Sequence, residues 1–260
     1  MKSLYALPLI LTGALLQILT VHAGVTDDLA PCVVFLMQEV PASQEAIVGS
    51  GFLVHTDNAV FLVTASHVAR ALGTSWRIVM PGGSGRAVTA RANGLEWRES
   101  PTADVSVAVL KPDSADQLNA LLKRSLPIHL LSARPLPPSR DIPLTVMGYP
   151  LGLGSSGYVS PLSLETKAAS GFITLKRFDN GKEANFIVLQ DPSIGGLSGG
   201  PVFDTGKSYF EEGRRITVRE GVSVVGLIHG VISDKSGGKF AAVVPAIEIV
   251  RLLSTNFRAE

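Results

Sequence analysis

Cysteine is almost missing from this sequence. Cys32 is the only one in 260 residues, so no intramolecular disulfide can staple the fold, and packing alone must hold the core. Within Pro31-Cys-Val-Val-Phe-Leu-Met37 it reads as a small apolar residue buried in a first strand, not as a thiol nucleophile. An excess of charge of one sign is missing too. Twenty-three Lys+Arg stand against 22 Asp+Glu, a formal charge of +1, and no basic stripe is present, which excludes a nucleic-acid partner. Histidine is scarce, at five residues, and no pair of His or Cys has ligand spacing, so neither a metal nor another cofactor is expected.

Long apolar runs are likewise absent, except at the start. Residues 1–23, MKSLYALPLILTGALLQILTVHA, carry Lys2, an apolar run from Leu4 to Val21 and a small-residue ending, Val21-His22-Ala23. This is the pattern of a secretory signal peptide. An uncleaved anchor is the alternative, because the run approaches a bilayer span; Pro8, Gln17 and the V-x-A ending favour cleavage. The expectation is an exported protein, periplasmic or extracellular, with no membrane contact once the leader is removed.

What the chain has in quantity is short strands. With 46% hydrophobic and 17% charged residues it can bury a real core. CVVFLM, IVGSGFLVHT, AVFLVTA, WRIVM and VSVAVLK succeed one another between turns at Asp57-Asn58 and Pro81-Gly82-Gly83, an all-β signature. Leu118, Leu121 and Leu122 then fall at helical spacing, followed by Pro127, Pro135, Pro137, Pro138 and Pro143, which marks a connector. Strands resume with IPLTVMGY, AASGFITL, NFIVLQD, PVFD, ITVRE, VSVVGLIHG and KFAAVVP, and Ala246 to Leu253 has amphipathic helical spacing. The predicted layout is a signal peptide at 1–23, a β-barrel at 24–112, a connector at 113–142, a second β-barrel at 143–245, and a closing helix and tail at 246–260. Two packed barrels would leave no exposed strand edge.

Three residues stand out chemically. His67 follows the apolar segment Phe61-Leu-Val-Thr-Ala, which predicts a histidine at a strand end, rigidly held with one ring edge free for general-base work. Asp104 precedes the apolar strand Val105–Leu110; a part-buried acid there can accept a histidine N–H and fix its tautomer. The rival acids Asp57, Asp113, Asp116 and Asp141 lie in turn or connector sequence. Ser198 lies in SIGGLSGGPVFD, with glycines at 195, 196, 199 and 200. A linker would not run straight into Pro201-Val-Phe, whereas a nucleophile needs clear space in front of its hydroxyl. The N–H groups of Gly196 and Ser198 are placed to hold an oxyanion, at roughly 2.7 to 4 kcal/mol per donor.

TASHV around His67, the acid at Asp104 and GLSGGP around Ser198 occur in the order His, Asp, Ser, and together resemble the chymotrypsin-like serine proteases. GSGFLV at 49–54, MGYPLG at 147–152 and KFAAVVP at 239–245 resemble recurring segments of the disulfide-free HtrA/Deg-type trypsin-like branch. The likeness spans about residues 31 to 253. It implies two six-stranded antiparallel β-barrels with a C-terminal helix. It also implies a serine endopeptidase acting on peptide or protein substrates through Ser198, His67 and Asp104, with Gly196 and Ser198 as oxyanion donors.

Departures from the family pattern carry their own expectations. The chain as given ends after the closing helix, so no C-terminal PDZ domain is expected. Leu197 stands before the nucleophile where the HtrA branch has Asn and the trypsin branch Asp, so the oxyanion loop must be held without an ion pair. Residues 205–220 lengthen the connection after the nucleophile strand, either as a contact loop or as a solvated hairpin. Ser193 and His229 are the candidate specificity-pocket residues and suggest an acidic or amide substrate side chain. However, His229 is one position out of register with glutamate-specific relatives, and a one-residue slip turns a strand side chain to the other face. Two rival readings remain open. Gly196-Leu-Ser-Gly-Gly200 also fits the nucleophile elbow of an α/β-hydrolase, though Pro201 and Val202 follow where a helix should begin. A catalytically silent protease-like domain that binds peptides or partners is the other.

Overall fold

The computed structural model describes residues 25–256 apart from 39–47, 73–75, 83, 92–94, 207, 212–213, 218–220, 234 and 236. The expected signal peptide lies outside the described residues. No helix among the described residues is long and apolar enough to cross a membrane.

The first half is a curled sheet whose strands form where β-branched and aromatic residues are densest. After the short helix α1 (Val25–Leu29) come β1 (Val33–Gln38), β2 (Val48–His55) and β3 (Val60–Thr64). Next are α2 (Ser66–Leu72), β4 (Trp76–Pro81), β5 (Ala87–Arg91), β6 (Arg98–Glu99) and β7 (Ser106–Leu110). Every residue of β3 is buried, as befits a strand covered on both faces. Helix α3 (Ala115–Leu122) begins where the Ser114 hydroxyl accepts the Gln117 N–H at 3.3 Å, satisfying one orphan donor of the first turn. It leads to β8 (Leu126–Pro127). Cys32 is buried in the 3-10 turn before β1, just outside the strand expected to hold it. Burial pushes its thiol far above the usual range.

The expected closure of six N-terminal strands into a barrel is not seen among the described residues. The strand order is β5-β4-β1-β2-β3-β7-β6, with β8 added parallel to β2. Among the described residues β5 and β6 do not pair, so this sheet is open, and one of its pairings is parallel.

The second half does close. Its strands are β9 (Pro143–Gly148), β10 (Leu162–Lys176), β11 (Glu183–Leu189), β12 (Pro201–Asp204), β15 (Ser223–Ser233) and β16 (Lys239–Pro245). They form a closed barrel in the order β10-β11-β16-β15-β12-β9. Between β12 and β15, in the 205–220 connection, β13 (Ser208–Glu211) and β14 (Arg214–Thr217) pair only with each other. Three irregularities interrupt the barrel's register, one of them between Val202 and Phe203 of β12 where it pairs with β15, and two bear on its shape. One breaks the register of β10 on β11 between Ala168 and Phe172. The other inserts His229 into β15, where Ile228 faces Val243 and Gly230 faces Ala242.

Helix α4 (Ala246–Asn256) then buries Ile249, Leu252 and Leu253, the three- and four-residue spacing of one apolar stripe. Each such side chain contributes about 1.5 to 3 kcal/mol on burial. They join one core cluster that also includes Val105 and Val107 of the first half and Phe186, Val224 and Leu227 of the second. The two halves share a core at the level of the site.

Candidate active site

His67 lies in the first turn of α2, three residues past the end of β3, not at the strand end expected. Asp104 lies just before β7 and is fully buried. A short turn delivers it there: the Ser100 hydroxyl accepts the N–H groups of Thr102 and Ala103, and Ser100 N–H donates to Val105 O. Asp104 then grips His67 twice, accepting its backbone N–H on Oδ1 at 3.0 Å and its ring Nδ1 on Oδ2 at 2.7 Å.

A second histidine shares the same oxygen. His229 Nδ1 lies 2.5 Å from Asp104 Oδ2, and Arg177 Nη2 approaches Oδ1 at 3.4 Å. Burial favours the neutral acid, but the hydrogen bonds from His229 and His67 outweigh it, and the carboxyl is held well below the usual carboxylate range. An ionised carboxylate only accepts, so both histidines must carry a proton on Nδ1. That leaves His67 Nε2 as a lone-pair base.

His229, the candidate specificity-pocket residue, lies at the bulge in β15. The bulge turns its ring onto Asp104, and only 3% of the residue is exposed. Phe178 stacks on it at 4.2 Å between centroids, and Phe186 lies at 4.9 Å. Phe178 also meets the His67 ring edge-on at 4.9 Å. The turn carrying Phe178 is fastened from both sides. Arg177 donates to Asp179 at 2.9 and 2.7 Å, and Arg70 of α2 bridges Asp179 and Glu99.

His67, Asp104 and His229 are the one group among the described residues with the donor set of a metal centre, a constellation that sequence spacing did not reveal. A divalent ion would need each donor about 2.1 Å from a common point. Here both ring nitrogens sit at hydrogen-bond distance on one carboxylate oxygen, which is the geometry of proton sharing.

Ser198 is half-buried between β11 and β12. Its hydroxyl donates to the backbone oxygen of His229 at 3.2 Å, and among the described residues no hydrogen bond joins it to His67. The loop in front of it is tightly specified. Leu197 N–H donates to Ile194 O at 3.0 Å across Gly195-Gly196, and Gly196 has φ +95, the left-handed third position of a turn that favours glycine. A Cβ on Gly196 would lie 2.6 Å from Tyr149 O.

Three contacts fix the orientation of this loop. Leu151 N–H donates to Gly195 O at 2.7 Å; in a trans peptide that turns the Gly196 N–H the opposite way. Leu151 is itself the one non-glycine residue with positive φ, at 55, among the described residues. Ser50 Oγ donates to Gly196 O at 2.7 Å, accepts Tyr149 N–H at 2.9 Å, and is fully buried; Ser50 N–H reaches Ser198 O at 2.9 Å. Leu197, 1% exposed, is embedded in the barrel core with Val146 and Ile228. Apolar burial and a serine clamp stand where an ion pair would otherwise hold the loop. Among the described residues the N–H groups of Gly196 and Ser198 have no protein acceptor.

Ser193 lines a small cavity that runs beside Leu197 and Ile228 into the barrel. Sequence reasoning missed Ser50, Arg177 and Phe178. Ser50 had a usable signal in GSGFLV; the polar turn RFDNGK around the other two had none.

The model of the trypsin-like peptidase domain matches residues 49–208, more than half of the chain. The chain belongs to the trypsin-like peptidase family. Solved structures agree on the fold. The apo MamO protease domain from Magnetospirillum magneticum superposes with a TM-score of 0.60 at 14% identity, covering 87% of this chain and 97% of that one. An inactive serine-to-alanine mutant of Rv3671c from M. tuberculosis H37Rv gives 0.53 at 18% identity, covering 91% of each chain. A serine endoprotease from Yersinia pestis gives 0.57 at 15% identity, covering 90% of this chain and 66% of that one. No curated protein sequence matches. This trypsin-like domain thus has a chymotrypsin-like β fold with a C-terminal helix, in which one of the two halves is a closed barrel.

Proposed function

We propose that this trypsin-like domain is an exported serine endopeptidase. The observation that carries the reading is the Asp104–His67 pair, with its tautomer fixed by a buried carboxylate. It lies in the same site as a hydroxyl on a glycine turn whose Gly196 and Ser198 N–H groups have no protein acceptor. Ser198 Oγ attacks the scissile carbonyl carbon and passes its proton to His67 Nε2. The carbonyl oxygen, now negative, is held by the N–H groups of Gly196 and Ser198. His67 returns the proton to the departing amine, and water, activated by His67, hydrolyses the acyl-enzyme. Before attack, the Ser198 hydroxyl must turn its proton from the His229 carbonyl to His67 Nε2.

The substrate has a natural place. Strand β12 pairs with β15 only as far as Leu227, and Gly199 and Gly200 take the bonds of Ile228. Beyond this point an extended peptide can add to the open edge of β15. The leader at 1–23 supports export to the periplasm or beyond.

A catalytically silent peptide-binding domain is the second reading, and the Ser198–His229 contact favours it. Labelling with a fluorophosphonate probe separates the two. Labelling of the wild type that vanishes in Ser198→Ala supports the peptidase, and an unlabelled, folded wild type leaves the binding domain.

A further inference from the structure

Thr166 is a buried hydroxyl without a partner. It lies on β10, only 6% of it is exposed, and its Oγ1 makes no hydrogen bond. Its strand neighbours Leu164 and Ala168, on the same face, pack into the apolar interior of the barrel. A buried hydroxyl left unpaired costs stability, and valine, the same shape without the oxygen, would avoid that cost. Nothing inside the fold explains the choice of threonine.

A cavity that reaches Leu197 of the nucleophile turn does. It has a volume of about 30 Å³ and is lined by Thr166, Leu164, Val146, Leu197, Ile228 and Ser193. Leu197 belongs to the nucleophile turn, Ile228 exchanges backbone hydrogen bonds with Gly199 and Gly200, and half-buried Ser193 completes the lining on that side. By the measure in which one water needs roughly 10–15 Å³, there is room for about two water-sized groups, the branches on the Cβ of a small side chain. Exposed Asp191 also belongs to its lining, which disfavours a substrate carboxylate and so argues against the acidic half of the sequence-based expectation of an acidic or amide side chain.

We propose that this cavity receives the substrate side chain on the acyl side of the cleaved bond, and that Thr166 selects a small hydroxylated residue, threonine or serine. The inference rests on the peptidase reading for its cleavage measurements, but not for its binding measurements. The methyl of a substrate threonine meets Val146, Leu164 and Ile228, and its hydroxyl pairs with the Thr166 oxygen. Substrate valine matches the shape and leaves that oxygen orphaned. A site built around a hydrogen bond discriminates against the analogue that lacks it.

The experiment uses peptide amides identical except for threonine, serine, valine, alanine, glutamate, lysine or phenylalanine before the cleaved bond. Wild type should cleave the threonine peptide about tenfold more efficiently in kcat/KM than the valine peptide, the size of one net hydrogen bond. Thr166→Val should bring the two within about twofold and melt no lower than wild type, since it removes an unpaired buried group. Valine equal to or better than threonine in wild type, a preference that survives in Thr166→Val, or glutamate, lysine or phenylalanine as the best residue would each overturn the proposal. The same pairs titrated into Ser198→Ala, with and without Thr166→Val, read the pocket without catalysis. Threonine-selective binding without any cleavage by wild type would retain the pocket and sink the peptidase. Cleavage without selectivity would do the reverse.

Discussion

His229 touches both ends of the site: its ring Nδ1 lies 2.5 Å from Asp104 Oδ2 and its backbone oxygen accepts the Ser198 hydroxyl at 3.2 Å. The ring supplies one of the hydrogen bonds that keep a fully buried carboxylate ionised. Removing a hydrogen bond to a charged group costs about 1.5 to 3 kcal/mol. His229→Leu should therefore lower the unfolding free energy by about that amount and reduce kcat at least about tenfold, with KM little changed. His229→Asn retains a donor near the position of Nδ1 and should recover most of both losses. Steady-state kinetics and thermal melts of the two variants decide it; equal behaviour would mean the ring only fills space.

Ser50 makes a different kind of contribution. Its hydroxyl, reaching over from the first half, ties Gly196 O to Tyr149 N–H of the second, and so fixes the Gly196–Leu197 peptide that lies between the two peptides carrying the oxyanion donors. Ser50→Ala leaves both donors in the chain but frees the loop. The loss in kcat should be about tenfold to a hundredfold, below the 10²–10³ of deleting a donor outright. Affinity for a peptidyl boronate, which mimics the tetrahedral state, should fall in step with kcat while KM holds. A rise in KM at constant kcat would instead assign Ser50 to ground-state binding.

These roles show where the sequence could and could not be read. His67, Asp104 and Ser198 were legible because each combines a reactive residue type with a distinctive local setting: an apolar strand before the histidine, one after the acid, glycines around the serine. The strands were legible from their Val, Ile and Phe content. The contact of His229 with Asp104 was not legible, because the bulge opposite Val243 and Ala242 adds one residue to β15, and a single residue decides which face a side chain takes. The failure of the N-terminal sheet to close was hidden for a similar reason. Whether β5 meets β6 depends on long-range edge pairing, which leaves no trace in periodicity. Leu197 was noticed as a departure, but only its burial beside Val146 and Ile228 shows what it does.

Leu197 accordingly tests whether the loop is held by apolar packing. Its Cδ2 would lie 2.9 Å from a Cβ on Gly148, so the site is full as well as dry. Leu197→Asn, which restores the residue of the HtrA pattern, places an amide in the barrel core with the leucine volume only partly replaced. The combined loss of burial and gain of an unpaired polar group should cost about 2 to 5 kcal/mol. Chemical denaturation should show the full effect, and probe labelling should fall with it. A variant as stable as wild type would show that the loop does not depend on this anchor.

Asp104 gives the pH dependence its sign. Burial pushes its carboxyl toward the neutral form, and hydrogen bonds from His229 and His67 override this, leaving the folded-state value below the ordinary 3.8. A group whose pKa is lowered on folding binds fewer protons folded than unfolded. Its contribution to stability is therefore complete above the unfolded value and drains away as pH falls below it toward the folded one. Asp104→Asn has no such titration, while Asp179, whose carboxyl is lowered against its burial by Arg177 and raised by the charge of Asp104, titrates in both proteins. The difference in melting temperature between wild type and Asp104→Asn should shift against wild type as pH falls below about 4. A difference that stays constant between pH 5 and pH 2.5 would mean that the carboxylate gains nothing from the two imidazoles.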